Sequence, residues 1–195
     1  MISVIIPYNE DRGYLSQAIK SLWDQTYEDW ELIRAQSDGS CAENLNLGLM
    51  LADGEYIKVL AEDDLLPPGS LKILISHIAN YDFIYGDGEN FGDLDGWPER
   101  YYDKTVTLDS MLRANGINGG GCLYRTDVLR AVGGWDESLW TAEEYDLHLK
   151  LLKNGYKHRH IPEVVYRYRR HGDNKSSKNR LSRHKLIKQI RQRYV

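Results

Sequence analysis

The chain has 195 residues, of which 42% are hydrophobic and 28% are charged, and these values are typical of one folded domain and exclude wholesale disorder. The formal charge of -4 at pH 7 hides an uneven distribution, because residues 175–195 hold eight Lys and Arg but no Asp or Glu. Of the 25 basic and 29 acidic side chains, the remainder of the chain keeps 17 and 29, a net charge of -12. An acidic body favours a site that binds a cation, and a basic end favours contact with an anion.

The cysteines and the apolar segments of the sequence indicate the cellular compartment of the protein. Cys41 and Cys122 form neither a disulfide framework nor a metal-ligand spacing, which favours a reducing environment. No apolar run approaches the roughly 18 residues that a membrane span needs. The start, MISVIIPYNE, lacks a basic segment and reads as a buried strand rather than a signal peptide. We therefore expect a cytoplasmic protein, either free or peripheral to a membrane.

The first half of the chain alternates between β-branched runs and helical apolar spacing. We predict strands over Ile2–Ile6, Trp30–Ala35, Glu55–Leu60 and Asp82–Asp87, with helices between Tyr14 and Trp23, over Leu45–Ala52 and after Pro67–Pro68. This β-α-β-α-β-α-β order predicts a parallel sheet with helices on both faces. Ligands of such sheets bind beyond the carboxyl ends of the strands, where four polar segments of this chain converge.

The second half begins with a Gly-rich, acidic stretch, Gly88–Asp103, which we predict to be a long loop or ribbon at the sheet edge. Three consecutive glycines, Gly119–Gly121, precede a short strand. A helix from Thr126, a helix ending at Gly155 and a basic terminal helix are predicted, with strands over Tyr156–Ile161 and Val164–Arg170. No linker or internal repeat interrupts the chain, so one domain is expected.

The acidic cluster Glu62-Asp63-Asp64 follows the third predicted strand. Carboxylates at a sheet rim suit a hard divalent cation such as Mg²⁺ or Mn²⁺, which would bridge them to phosphate oxygens. The alternative is a helix cap, which explains one acidic residue but not three that repel one another. The cluster therefore favours a metal site.

Other candidates have two readings each when taken alone. Asp38 either forms a turn or accepts a hydrogen bond from a ligand. Gly120 and its neighbours either form a tight turn or let a substrate approach the backbone. Glu143 and Glu144 either complement a helix dipole or supply a general base. His171 could be a metal ligand or a phosphate contact, although a lone histidine is more often neither.

Taken in order, the motifs SVIIP-YNE, QTYEDWELI, SDGS, NLGLMLADGEYIKVL, EDDLLPPGSL, GGWDE, EEYDLHLKLLKNGYK and YRRH are specific. In this order the sequence resembles the family 2 glycosyltransferases of GT-A fold, from Ile2 to about Ser177. The resemblance implies an α/β, Rossmann-like fold with a mostly parallel central sheet flanked by helices in a single compact domain. It implies a GT-A domain at 1–177, with a nucleotide-binding half at 1–90 and an acceptor and catalytic half at 91–177, followed by a basic C-terminal helix at 178–195.

The family resemblance also implies a chemistry. A sugar would pass with inversion from a nucleotide-diphosphate sugar, with UDP as the expected nucleotide, to an acceptor hydroxyl. A divalent cation, Mn²⁺ or Mg²⁺, would stabilise the leaving diphosphate, and Glu144 would be the base. The residues expected to bind the donor are Pro7, Tyr8, Glu10, Asp38, Glu62, Asp63 and Gly120. Those expected to hold the metal are Asp63, Asp64 and His171.

The sequence departs from the family pattern at several positions. Ala61 stands where the first carboxylate of the D-x-D metal motif is expected, and Ser37 replaces the first carboxylate of the D-D-G-S turn. The segment after that turn is shorter than usual, and one residue is missing before Tyr8. These changes leave open a second reading, a catalytically inactive module that binds a nucleotide or a glycan. A nucleotidyltransferase ranks third, because residues 8–13 lack the Gly-rich basic loop of those enzymes.

The acceptor is not specified by the sequence, and a glycan, a lipid-linked sugar, a protein and a modified nucleic acid all fit. The terminal helix carries an apolar stripe of Leu186, Ile187, Ile190 and Tyr194 with basic residues around it. Such a helix could bind an anionic membrane or a nucleic acid, or could pack against the domain.

Overall fold

The computed structural model describes residues 1–93, 98–99, 106–172 and 180–195, with 98–99 and 180 described by their backbone alone. The predicted ribbon over Gly88–Asp103 therefore falls partly outside the described residues. The predicted boundary between a domain ending at residue 177 and a helix starting at 178 falls wholly outside them.

Seven strands and seven helices make up the described chain. The strands are β1 (Ile2–Tyr8), β2 (Trp30–Gln36), β3 (Tyr56–Val59), β4 (Phe83–Gly92), β5 (Pro98–Glu99), β6 (Cys122–Arg125) and β7 (His158–Arg170). The helices are α1 (Leu15–Trp23), α2 (Cys41–Leu51), α3 (Ser70–His77), α4 (Leu108–Arg113), α5 (Thr126–Ala131), α6 (Glu143–Lys153) and α7 (Arg180–Gln192). The sequence did not predict α4, and it placed the start of α2 too late.

The start of α2 has a local cause. The side chain of Ser40 accepts a hydrogen bond from the backbone N–H of Glu43, and the Glu43 carboxylate accepts one from the backbone N–H of Ser40. This capping box satisfies two free donors at the helix start. The polar SDGS turn therefore leads directly into a helix, which begins at Cys41 rather than near Leu45.

The strands form one mixed sheet in the order β2-β1-β3-β6-β4-β5, with β7 also paired to β4. The pairs β1–β2, β1–β3 and β4–β7 are parallel, whereas β6 lies antiparallel between β3 and β4. The predicted α/β sheet with helices on both faces is confirmed. The four strands predicted in the first half are not all neighbours in this sheet, because β6 from the second half lies between β3 and β4.

Several strands are longer than predicted, and β4 continues past Asp87 to Gly92. β1 continues through Pro7 to Tyr8, since beyond Ile5 it pairs only with β2, so the missing N–H of proline costs no bond to β3. The two strands predicted after Tyr156 are one strand, β7. Its register against β4 shifts after Ile161, so that Pro162 and Glu163 form an irregularity rather than a break.

Helices cover both faces of the sheet. One buried cluster contains residues of α1 and α3, and the other contains residues of α2, α4, α5, α6 and α7. Ile190 of α7 is completely buried, and Leu186, Ile187 and Tyr194 pack beside it. The apolar stripe of the terminal helix therefore faces the core, which is the packing alternative that the sequence left open. Across the ranges described above, no helix is both long and apolar enough to cross a membrane.

Candidate active site

A cavity of about 820 Å³ opens at the carboxyl ends of β1 and β3. It lies where the topology of a parallel sheet predicts a ligand site. Most of the residues predicted from the sequence line it: Pro7, Tyr8, Glu10, Glu62, Asp63, Asp64, Gly120 and Glu144. Asp38 and His171 are not part of the lining. The Asp38 side chain is exposed and makes no hydrogen bond to another described residue, whereas His171 contacts the lining residue Asp63.

The β1 end of the cavity is fixed by a buried amide that the sequence reading missed. The side-chain N–H of Asn44, on α2, donates to the backbone carbonyl of Tyr8 at 3.1 Å, and its carbonyl accepts from Ser37 Oγ at 2.5 Å. The Tyr8 hydroxyl in turn accepts from Arg34 Nη2 at 2.9 Å. One completely buried residue thus ties β1 to the turn after β2, and only the folded chain brings these segments together.

Asp63 and His171 meet at the rim although they are 108 residues apart. His171 Nε2 lies 3.0 Å from Asp63 Oδ2, and both side chains are largely shielded from solvent. Arg12 Nη2 lies 3.2 Å from the same oxygen, while Arg12 Nε donates to Glu62 Oε1. An imidazole and a carboxylate that converge beside a cavity are suitable ligands for a divalent cation.

Glu62 keeps one carboxylate oxygen for a further partner. Its Oε2 is buried and has no hydrogen-bond partner within the described part of the chain. Burial raises the pKa of Glu62, and the hydrogen bond from Arg12 opposes that rise. An orphaned oxygen beside Asp63 fits a ligand hydroxyl or a bound cation, since buried polar atoms normally have partners.

Asp64, also predicted as a metal ligand, is almost completely buried. Its Oδ1 accepts from the backbone N–H of Arg169 at 2.7 Å, and its Oδ2 accepts from the hydroxyl of Tyr166. Both contacts hold β7 against the acidic cluster. The metal role of Asp64 stays a prediction, and the geometry gives this residue a structural task.

The described part of the protein does not by itself supply a complete set of metal ligands. In the described ranges, no group of three or more His, Cys, Asp or Glu side chains could hold an ion. Asp63 with His171 would supply two protein ligands. Mg²⁺ and similar cations commonly bind through one or two carboxylates together with substrate phosphates and water. The residues present therefore fit a cation that arrives with a diphosphate.

Glu144 lies in the first turn of α6, on the opposite half of the chain from Asp63. A Cβ placed on Gly119 would lie 2.1 Å from its carboxylate, so the side chain rests directly on the glycine turn. The residue before the helix's first Glu, Ala142, has a φ of 64°, a left-handed conformation that is unfavourable for alanine. Strained backbone of this kind is concentrated at functional sites.

Arg183, on α7, is a second residue that sequence reasoning missed. It lines the cavity, and its Nε is buried without a hydrogen-bond partner in the described chain. The sequence showed only a basic helix and could not show which of its side chains reaches the site. A guanidinium donor without a partner in the cavity lining suits an anionic group of a ligand.

The comparisons with known proteins agree with this geometry. The family profile described as "Glycosyl transferase family group 2" matches residues 56–194. The chain belongs to this glycosyltransferase family.

Among its relatives in the family is an uncharacterised glycosyltransferase of Rickettsia felis, 25% identical over 78% of this chain and 31% of the relative. One of Methanocaldococcus jannaschii is 25% identical over 87% of this chain and 70% of the relative. The structure of S. aureus TarS 1-349 in complex with UDP-GlcNAc superposes with a TM-score of 0.76 at 19% identity, over 91% of this chain and 60% of that one. The likeness to TarS establishes the GT-A fold. The chain spans about a third of the Rickettsia relative.

Proposed function

We propose that the chain transfers a sugar, with inversion, from a nucleotide-diphosphate sugar to an acceptor hydroxyl. The observation that carries the proposal is one cavity lined both by Asp63, which contacts His171, and by Glu144, whose carboxylate rests on the glycine turn. The TarS structure of the same fold contains UDP-GlcNAc, which supports a UDP-sugar as the donor. In this proposal residues 1–90 hold the nucleotide, residues 91–177 supply the base and the acceptor side, and the reaction takes place in the cytoplasm.

A divalent cation, when bound, would neutralise charge on the diphosphate and so stabilise the leaving group. Asp63 and His171 would hold that cation, and Glu62, the residue before Asp63, offers an orphaned oxygen as a further ligand. Arg183 is placed to contact diphosphate oxygens through its unsatisfied Nε. Pro7, Tyr8, Glu10 and Gly120 are proposed to border the donor. Asp38 reaches the donor only if its exposed side chain turns toward the cavity.

Glu144 would remove the proton from the acceptor hydroxyl. The acceptor oxygen then forms a bond to the anomeric carbon, the bond from that carbon to the diphosphate oxygen breaks, and the proton remains on Glu144. Attack on the face opposite the leaving group inverts the configuration. A positioned base of this kind contributes roughly 10²–10⁴-fold to the rate.

The test is turnover of a panel of nucleotide-sugars, beginning with UDP-GlcNAc, measured as release of nucleoside diphosphate in Mn²⁺. The Glu144→Gln protein should lose about 100-fold or more in turnover while still binding UDP, because only the base is removed. Glu163→Gln, an exposed change on β7 outside the cavity lining, is the matched control. Unchanged turnover in Glu144→Gln would contradict the assignment of the base.

A second function, nucleotide binding without transfer, is favoured by Ala61, which lines the cavity where the family places a carboxylate. The same panel separates the two functions. Wild-type protein that binds UDP but turns over no donor, with or without a range of hydroxyl acceptors, supports the binding module.

A further inference from the structure

Lys58 is a completely buried lysine in the middle of β3. Tyr56 on the same strand and Leu60 just after its end belong to an apolar cluster, so a charged side chain between them is unusual. The ammonium group donates to the carbonyl of Gly120 and, at 3.1 Å, to that of Val59. It also lies 5.1 Å from the ring centroid of Tyr166. A lysine is buried in this way only when its donors are satisfied, and here the contacts lead to the glycine turn.

The carboxylate of the proposed base, Glu144, packs against the glycine turn. Gly119–Gly121 form a single 3-10 turn, which the side chain of Asn118 caps by accepting from the N–H of Gly120 at 3.0 Å. A Cβ on Gly119 would meet the Glu144 carboxylate at 2.1 Å, and one on Gly120 would meet the Tyr166 ring at 2.2 Å. The position of the turn therefore decides how far the Glu144 carboxylate can move toward the sheet.

We propose that Lys58 is a positioning residue for Glu144. Its hydrogen bond to the Gly120 carbonyl fixes the glycine turn against which the Glu144 carboxylate packs. Its positive charge attracts that carboxylate. Lys58 does not face the substrate, and acts through the turn and through its charge. This inference rests on the proposed function, because it assumes that Glu144 is the base.

The charged and titratable groups that act on Lys58 come from several elements around it. They are Cys122 of β6, Glu144 of α6, Asp64 beyond the end of β3 and Tyr166 of β7. Burial lowers the pKa of Lys58 to about 8, and Cys122, Glu144 and Asp64 oppose that shift. The Cys122 thiol is itself buried, and burial raises its pKa to about 12, so it is uncharged near neutral pH. The carboxylates are thus the groups that keep Lys58 charged.

The electrostatic coupling between Lys58 and Glu144 can be measured without an assay of enzyme activity. Lysine side chains labelled with ¹⁵N report the pKa of Lys58 in an NMR titration of the folded protein. We expect this pKa to fall in Glu144→Gln, because a carboxylate that favours the ammonium is lost. Glu163→Gln, an exposed change outside the cavity, should leave it unchanged. An identical Lys58 pKa in wild type and Glu144→Gln would overturn the inference.

The consequence for catalysis is tested with Lys58→Met, which keeps the length of the side chain and removes its charge. We expect nearly unchanged UDP affinity in Mn²⁺, a kcat lower by about 100-fold, and an acidic limb of the pH profile displaced to higher pH. A merely structural role would not displace that limb. Lys72→Met, an exposed change on α3, is the matched control.

A Lys58→Met protein with wild-type kcat and pH profile would overturn the inference. If that variant does not fold, the NMR titration of the folded wild type and Glu144→Gln still decides it. If wild-type protein turns over no donor while the titration shows the coupling, the proposed function fails and the electrostatic link between Lys58 and Glu144 stands.

Discussion

At the scale of single residues, the absence of a side chain at Gly119 determines where Glu144 can lie. The turn has no room for a methyl group on that side, because the carboxylate already occupies the space. From the sequence, the three glycines could be explained either by a tight turn or by close approach of a substrate to the backbone. The contacts of Gly119 and Gly120 show that protein side chains fill the space above them.

The change Gly119→Ala should therefore displace Glu144. We expect a large loss of turnover and a loss of unfolding free energy of about 1–3 kcal/mol, since overpacking forces neighbours to shift. Donor turnover and urea denaturation measure the two effects. In a Glu144→Ala background the added methyl group meets no carboxylate, so the same change should then cost much less stability. Equal costs in both backgrounds would show that the two residues are not in contact.

The sequence predicted the site residues that belong to local motifs, but not those brought to the site by contacts between distant parts of the chain. Asp63 and Glu144 belong to local motifs at the end of a strand and at the start of a helix, and both line the cavity. Lys58 lies within the motif NLGLMLADGEYIKVL, where it reads as part of a strand, and Arg183 is one basic residue among several on a helix, so neither shows its role locally. Their roles depend on contacts between residues far apart in the chain.

At the scale of elements, α7 is a packed part of the domain. Ile190 is completely buried, Arg191 Nε donates to the hydroxyl of Tyr145 at 3.0 Å, and the Tyr194 hydroxyl donates to Asp146 at 3.0 Å. These contacts join α7 to α6, the helix that carries Glu144. The packed helix in turn brings Arg183 to the cavity.

Truncation of the buried side chain tests this packing. Ile190→Ala should lower the unfolding free energy by about 2–5 kcal/mol, because it leaves a cavity in the core. Leu181→Ala, on the same helix but 83% exposed, should change it by less than about 0.5 kcal/mol. Urea denaturation of the two variants gives the comparison. Equal, small effects would mean that α7 does not pack on the core in solution.

The fold was predictable at this scale wherever the pattern was local. Periodicity identified the strands and helices of the first half, and their alternation predicted the α/β sheet. The insertion of β6 between β3 and β4 was not predictable, because pairing between strands of different halves leaves no trace in the periodicity of either. The same limit applies to β7, where Pro162 marks an irregularity in a continuous strand.

At the scale of the whole molecule, one buried histidine links folding to pH. His148 is completely buried, and its Nε2 lies 2.8 Å from the hydroxyl of Tyr124. Burial, together with a smaller contribution from His158, lowers its pKa from 6.5 to about 3. Below pH 6.5 the unfolded chain binds a proton at this position that the folded chain does not bind until about pH 3.

The folded state should therefore lose stability as the pH falls from about 6.5 toward 3, by up to about 1.4 kcal/mol per pH unit from this group. Urea denaturation across this range measures the slope. His148→Leu should be less stable at neutral pH but should show a flatter slope, whereas His184→Gln, an exposed change on α7, should keep the wild-type slope. A slope that is the same in wild type and His148→Leu would contradict the assignment.

The whole molecule is an acidic domain whose cavity joins residues from both halves of the chain around one proposed diphosphate site. Asp63 is the residue on which that proposed site depends, because its carboxylate contacts both His171 and Arg12. Its removal should abolish cation binding while leaving the fold intact.

The most direct measurement is calorimetric titration of UDP into wild-type and Asp63→Asn protein, with Mn²⁺ and with EDTA. We predict that wild-type protein binds UDP much more tightly in Mn²⁺ than in EDTA, and that Asp63→Asn binds equally weakly in both. If Asp63→Asn binds UDP with the same dependence on Mn²⁺ as the wild type, Asp63 is not the metal ligand and the proposed site is wrong.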